Sequence, residues 1–304
     1  MSVTILGGGA VGLFLSSLLS QSDNTILITR TVSQAKIINN NGIFVSGLTN
    51  FCTKKVLAVP FNSSKLKPVL SHTKILFLCL KSYDTKNVLS KLKNFVLQNT
   101  IIVTVQNGLG NKEIITQIFP QNRVLESVIT FGVTKVLDNK IIFCGSGEII
   151  TSPLIKKYLN LRHNFLKNLV KLKYVRNTTF FVWQKFIINC AINPVGTILN
   201  LKNGELIGKN YTKNLMKQIF EEAFLVAKSY NIKIPKNIFK KIVEVCLRTK
   251  ENFNSMLQDV LKHKNVTEIE FLNGKLLNLA KQKGLYLPAN ETVYELIKTI
   301  EQTY

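Results

Sequence analysis

Three polar residues in an apolar stretch are spaced for chemistry. In "WQKFIINCAINPVG", Lys185, Asn189 and Asn193 recur every fourth residue, so a helix stacks them on one face among Phe186, Ile187, Ile188 and Ile192. Burying an amide without a partner costs roughly 1–3 kcal/mol, and an unpaired ammonium more. The ladder therefore either faces water or lines a polar site. Trp183, Phe186 and Ile187 leave little room for a wide solvated face, and "NPVG" is expected to end the helix just beyond Asn193.

A second set of residues fits a dinucleotide. "ILGGGAVG" puts Gly7, Gly9 and Gly12 in G-x-G-x-x-G register, after an expected strand and at the opening of an expected helix. Glycines there allow a tight turn, close approach of backbone to a pyrophosphate, and close packing of helix on strand. The helix N-terminus then stabilises the phosphate charge. Arg30 follows the next strand, "TILIT", where an acidic residue would bind the ribose hydroxyls of NAD; an arginine there attracts the 2′-phosphate of NADP instead. The alternatives are a glycine turn without a ligand and one more surface arginine.

Other polar groups sit where ligands bind. Lys81 follows "ILFLCL" and Asn107-Gly108 follows "IIVTV", both at the carboxyl ends of expected parallel strands. Farther on, "KENFNSMLQD" sets Asn252 and Ser255 three apart, and "TEIEFLNGKL" is read as an apolar helix carrying Glu268. That carboxylate is either a first-turn residue favoured by the helix dipole or the anionic partner of Lys185.

The elements that must position these residues change character along the chain. Up to about Asn177, short apolar strands alternate with helical segments, which implies a parallel sheet covered on both faces. "IFVSG" and "KKVLAV" read as the two arms of a hairpin within that pattern. From about Thr178 onward long amphipathic stretches dominate. The expected fold class is α/β, an N-terminal Rossmann-like doubly wound sheet over residues 1–176 with an all-helical C-terminal domain over 177–304.

Composition narrows the partners. The chain has 304 residues, 46% hydrophobic and 19% charged, enough for packed cores. Its net charge of +23 favours anionic partners, yet the lysines are scattered and rarely exceed pairs such as Lys54-Lys55, so a solvated basic surface is the better reading than a nucleic-acid site. A basic dinucleotide-sensing or nucleic-acid-binding protein is the alternative from a different class. The five cysteines lie far apart without a CxxC pair, which points to neither a disulfide framework nor a zinc site, and fits a reducing cytoplasm. The first residues lack a positively charged run before their apolar stretch, so neither export nor a membrane span is expected.

Taken together, "ILGGGAVG", "CLKSY", "VQNGLG", "WQKFIINCAINPVGTILNLKNGEL", "NFNSMLQDV" and "TEIEFLNGKL" resemble the ketopantoate reductase family, the NADPH-dependent 2-dehydropantoate 2-reductases of pantothenate and coenzyme A biosynthesis. The resemblance implies an N-terminal domain that binds NADPH and a helical domain that closes over a small 2-oxo acid substrate, with a homodimer as an assembly it allows. It makes Lys185 the catalytic lysine, the ammonium that polarises and protonates the substrate carbonyl. Glu268 would hold the substrate hydroxyl, and Asn107, Asn189, Asn193, Asn252 and Ser255 would contact the substrate. Gly7, Gly9, Ala10, Val11, Gly12, Arg30, Lys81 and Asn107 would serve the cofactor. Another NADP-dependent 2-oxoacid or β-hydroxyacid reductase on the same two-domain plan is the alternative within enzymes. The extra Gly8 departs from the glycine pattern without removing a required group.

Overall fold

The computed structural model describes residues 2–157, 169–235, 237–262 and 266–303. The chain divides into two compact units, Met1–Gln106 with Asn111–Thr178 and Asn107–Gly110 with Thr179–Tyr304.

In the first unit β1 (Ser2–Leu6), α1 (Ala10–Leu19), β2 (Asn24–Thr29) and α2 (Val32–Asn41) are followed by an antiparallel hairpin of β3 (Ile43–Gly47) and β4 (Phe51–Thr53). Next come β5 (Val56–Pro60), α3 (Leu66–Ser71), β6 (Thr73–Leu78), α4 (Thr85–Leu92), β7 (Ile101–Thr104), α5 (Asn111–Ile118) and β8 (Val124–Glu126). Six strands form one parallel sheet in the order β5-β2-β1-β6-β7-β8. The chain winds outward from β1 through β2 to β5, then returns to lay β6, β7 and β8 on the other side. This is the doubly wound, Rossmann-like order, and its winding reverses between β1 and β6, where such sheets take their ligands.

These strands are apolar on both sides because both sides are covered. Ile5, Phe77 and Val103 share a core with Leu13, Phe14 and Leu18 of α1. Their neighbours Leu6, Leu78 and Ile102 point the opposite way, into a core with Leu66, Leu89 and Ile115 of α3, α4 and α5. Two smaller sheets complete the unit. β10 (Gly132–Leu137) and β11 (Lys140–Gly145) join β3 and β4, while β9 (Val128–Ile129), β12 (Gly147–Thr151) and β13 (Val170–Tyr174) form a three-stranded sheet. Phe14 stacks on Phe143 at 4.7 Å and meets Phe131 edge-on at 5.0 Å, tying α1 to β11.

The expected hairpin is corrected in one arm. "KKVLAV" does not return along "IFVSG"; Phe51–Thr53 does, and Val56–Pro60 pairs in parallel with β2 at the sheet edge. The charged pair Lys54-Lys55 breaks the strand in two. Asn39 of α2 then serves β5, its Nδ2 donating to the Ala58 carbonyl at 2.9 Å and its Oδ1 accepting the Ala58 N–H at 2.8 Å. One amide thus satisfies both groups of an edge residue that has no further strand to pair with.

The second unit is helical. Its long helix α6 (Thr179–Ile198) is packed by α7 (Asn203–Ile207), α8 (Asn210–Ser229), α9 (Ile238–Arg248), α10 (Ser255–Val260), α11 (Asn273–Lys281) and α12 (Pro288–Gln302). Phe186, Ile187, Cys190, Ala191 and Val195 of α6 sit in its core. Among the described residues no helix is long and apolar enough to cross a membrane.

Here the expected helix end is also corrected: α6 runs straight through Pro194 to Ile198. A proline inside a helix removes the N–H that the carbonyl four residues earlier needs. That carbonyl belongs to Cys190, and it accepts instead from Asn273 Nδ2 at 3.2 Å. The same amide donates to Asn290 Oδ1 at 2.9 Å, and Asn290 Nδ2 donates to Glu222 Oε2 at 2.7 Å. Glu222 in turn accepts the Ala289 and Asn290 N–H groups at the start of α12, both at 2.9 Å. A buried polar chain from α11, α12 and α8 thus replaces the bond that Pro194 deletes.

Candidate functional site

In the first unit the three glycines of the turn have three different surroundings. Gly7 has φ +116°, a conformation that favours glycine, and a Cβ there would lie 2.8 Å from the Cys79 carbonyl oxygen beside β6. A Cβ on Gly12 would overlap the Gly7 carbonyl oxygen. On Gly9 a Cβ would meet nothing within 4 Å. Gly7 and Gly12 are therefore required by the fold, whereas Gly9 borders open space at the N-terminus of α1, with Ala10 and Val11 as the first helical residues.

That N-terminus has no side-chain cap and no acidic residue in its first turn, so its N–H groups remain for an anion. The extra Gly8 is explained by Gln34, whose Nε2 donates to the Gly8 carbonyl at 2.8 Å and whose amide a Cβ would strike. Lys81 precedes a short 3₁₀ turn, Ser82–Asp84, in the connection after β6. Arg30 extends from the end of β2 to Asp84, 2.8 Å away, with 79% of its side chain exposed. An exposed pair of this kind contributes about 0–1 kcal/mol, so the guanidinium is readily drawn to a phosphate.

The remaining sequence-derived residues lie in the second unit. Lys185, Asn189 and Asn193 share one face of α6, and none is exposed: the first two are half-buried and Asn193 is buried. The ladder is therefore not a fully solvated stripe. Burial pulls the Lys185 ammonium down from its usual range to about 8, and the negative charge of Glu268 opposes that fall. An amine in this range exchanges a proton near neutral pH.

Glu268 itself is buried, and its place corrects the sequence expectation. It lies just before a single 3₁₀ turn, Ile269–Phe271, and not inside a helix. The intervening Leu272 leaves helical geometry, so α11 begins only at Asn273. Asn107 Nδ2 donates to Glu268 Oε2 at 3.4 Å. Next to it, the Leu109 N–H donates to the Phe271 carbonyl at 3.3 Å, and a Cβ on Gly108 would overlap that carbonyl oxygen. Asn107, Glu268 and Lys185 are thus brought together in the second unit.

Asn252 and Ser255 are placed at the other end of the ladder. Asn252 accepts the Asn203 N–H at 3.0 Å on its backbone carbonyl, and exposed Ser255 opens α10. Between them stands Asn254, which sequence reasoning missed. Its buried Oδ1 accepts the Met256 and Leu257 N–H groups, both at 3.0 Å, and so caps α10. The Thr197 hydroxyl, which donates to the Asn193 carbonyl at 2.7 Å, lies 3.4 Å from the same Oδ1. A Cβ on Gly196 would lie 2.5 Å from Asn254 Nδ2, so glycine lets the cap of α10 lie against α6 one turn beyond Asn193. An Asn directly ahead of "SMLQ" is an N-cap signal, available to a reading that asks where α10 begins.

Known proteins match the chain over nearly its whole length. The model of ketopantoate reductase PanE/ApbA matches residues 3–155, and that of its C-terminal part matches 181–301. A 2-dehydropantoate 2-reductase of Pyrococcus horikoshii is 31% identical over 99% of this chain and 98% of its own, and one of Aquifex aeolicus is 30% identical over 99% and 97%. Among solved structures, a PanE/ApbA family ketopantoate reductase from Ralstonia eutropha JMP134 superposes with a TM-score of 0.87 at 24% identity, covering 100% of this chain and 99% of that one. A D-mandelate dehydrogenase solved with NADH and anilino(oxo)acetate gives 0.86 at 19% identity, with 100% and 99% covered. These two likenesses show the fold alone. With both family models matched and full-length relatives at 30% and 31% identity, the chain belongs to the ketopantoate reductase family and is an oxidoreductase acting on a CH–OH group.

Proposed function

We propose that the protein reduces 2-dehydropantoate to D-pantoate with NADPH, the step that feeds pantothenate and coenzyme A synthesis. The observation that carries this reading is the half-buried Lys185, with a pKa near 8, in the field of buried Glu268. Full-length identity to relatives named 2-dehydropantoate 2-reductase supports the choice of substrate. The five cysteines are all free, which supports a cytoplasmic setting.

The glycine turn fits a dinucleotide: the space at Gly9 and the uncapped start of α1 suit a pyrophosphate, and Arg30 suits a 2′-phosphate. Lys81, after β6, serves the same ligand. When bound, NADPH supplies the hydride. The Lys185 ammonium polarises the C2 carbonyl of the substrate and gives its proton to the oxygen as negative charge develops there. Glu268 accepts a hydrogen bond from the substrate hydroxyl and favours the charged form of Lys185. Asn107, Asn189, Asn193, Asn252 and Ser255 orient the carboxylate and hydroxyl of the substrate, which turns binding into alignment.

The D-mandelate dehydrogenase neighbour favours one second reading, reduction of a different 2-oxo acid. Oxidation of NADPH and NADH should therefore be followed with 2-dehydropantoate and a panel of branched and aromatic 2-oxo acids, in the wild type and in Arg30→Asp. The proposal expects 2-dehydropantoate with NADPH to give the highest kcat/KM, and Arg30→Asp to lower it for NADPH at least about tenfold while sparing NADH, as loss of a charged hydrogen bond should. A better acid in the panel would replace the substrate, and equal loss with both nicotinamides would remove the 2′-phosphate role of Arg30.

A further inference from the structure

Glu268 stands in a connection outside any α-helix or strand, so its carboxylate needs support from elsewhere. We infer that Glu301, near the end of α12, is the positioning residue that fixes Glu268. The inference rests on the substrate-holding role proposed for Glu268.

Glu301 is a buried carboxylate, 8% exposed, facing the 1% exposed Thr267. Its Oε1 accepts the Thr267 N–H and is 2.8 Å from the Thr267 hydroxyl, which donates to it. The oxygen of that hydroxyl accepts the Ile269 N–H at 3.2 Å. The N–H groups on both sides of Glu268 therefore lead to one carboxylate oxygen. Its other oxygen, Oε2, is 2.6 Å from Lys298 Nζ, which also reaches Glu270 Oε1 at 3.4 Å. The Tyr294 hydroxyl donates to Glu270 Oε1 at 2.7 Å. Residues 294, 298 and 301 follow the face of one helix and grip residues 267 and 270, on either side of Glu268.

Burying a carboxylate costs free energy that only good partners offset, and an apolar residue would fill the same position at lower cost. What the carboxylate adds is directional: it fixes the backbone that aims Glu268. The segment held in this way also receives the Leu109 N–H on Phe271 and the Asn107 amide on Glu268, so the grip of α12 extends to the polar groups around Lys185.

The test compares Glu301→Ala, Glu301→Gln, Thr267→Val and Glu268→Ala in the full-length enzyme. Steady-state kinetics with NADPH and 2-dehydropantoate are followed across pH. Glu301→Ala should raise the KM for the substrate about tenfold, the scale of a lost hydrogen bond to a charged group. It should leave the KM for NADPH unchanged and move the alkaline limb of kcat/KM to lower pH, because Glu268 then supports the Lys185 ammonium less well. Glu301→Gln keeps the Oε1 acceptor and should restore most of the substrate KM. Thr267→Val removes the hydroxyl alone and should fall between; it carries the comparison if Glu301→Ala does not fold. If Glu268→Ala impairs substrate use while Glu301→Ala and Thr267→Val keep the wild-type KM and limb, the positioning role is overturned and that of Glu268 stands. If Glu268→Ala behaves as wild type, the role of Glu268 falls and the inference falls with it.

Discussion

At the scale of residues, the proposed chemistry depends on how far the surroundings of Lys185 move its proton affinity. Burial lowers its pKa to about 8 and Glu268 opposes the fall. In the proposed reaction reduction uses the ammonium, so kcat/KM for the 2-oxo acid should be flat below the pKa and fall as pH rises through about 8. The reverse oxidation uses the free amine and should rise over the same range. Glu268→Gln removes the charge that favours the ammonium, so it should move both limbs to lower pH. A limb that stays in place in this variant would detach Glu268 from the titration. Lys185, Asn189 and Asn193 are legible in the sequence because a polar residue every fourth position is conspicuous in an apolar run. Asn254 is only partly so: its cap of α10 is a local signal among many Asn residues, whereas its contact with Thr197 of α6 is distant in sequence.

At the scale of elements, the glycine turn separates folding from binding. Gly9→Ala places a methyl group in open space at an ordinary φ of −78°, so the protein should keep its Tm while its KM for NADPH rises. Gly12→Ala drives the same methyl group into the Gly7 carbonyl, and its Tm should fall. Equal losses of stability in the two would contradict this division. The proline in α6 gives a second prediction. Asn273→Ala leaves the Cys190 carbonyl without its substitute donor and breaks the link to Asn290, so denaturant unfolding should show a loss of about 1–3 kcal/mol. Local rules place a helix end at "NPVG" because proline deletes a donor. What keeps the helix intact is an amide 79 positions away from Pro194, which no local pattern contains. The displaced hairpin arm has a related cause: "IFVSG" and "KKVLAV" both carry strand patterns, but only long-range pairing assigns β5 to β2.

At the scale of the whole molecule, the sequence already separates the chemistry into two regions. Apolar strands alternating with helices require a covered parallel sheet, and the long amphipathic runs require a helical unit. The sheet order adds that the winding reverses between β1 and β6, beside the glycine turn and Lys81. The boundary is less legible at one place: Asn107–Gly110 follows a strand of the first unit yet belongs to the second, because its amide and backbone bond to residues 268–271. The net charge of +23 suits the proposed cofactor and substrate, both anions, although scattered lysines specify neither.

The most direct test of the central claim, that Lys185 is the proton donor, is the turnover of Lys185→Ala with saturating NADPH and 2-dehydropantoate. Tm and NADPH binding are measured on the same preparation. Turnover should fall about 100-fold or more, the range expected for loss of a general acid, while Tm and NADPH binding remain close to wild type. Near-normal turnover in that variant would contradict the assignment.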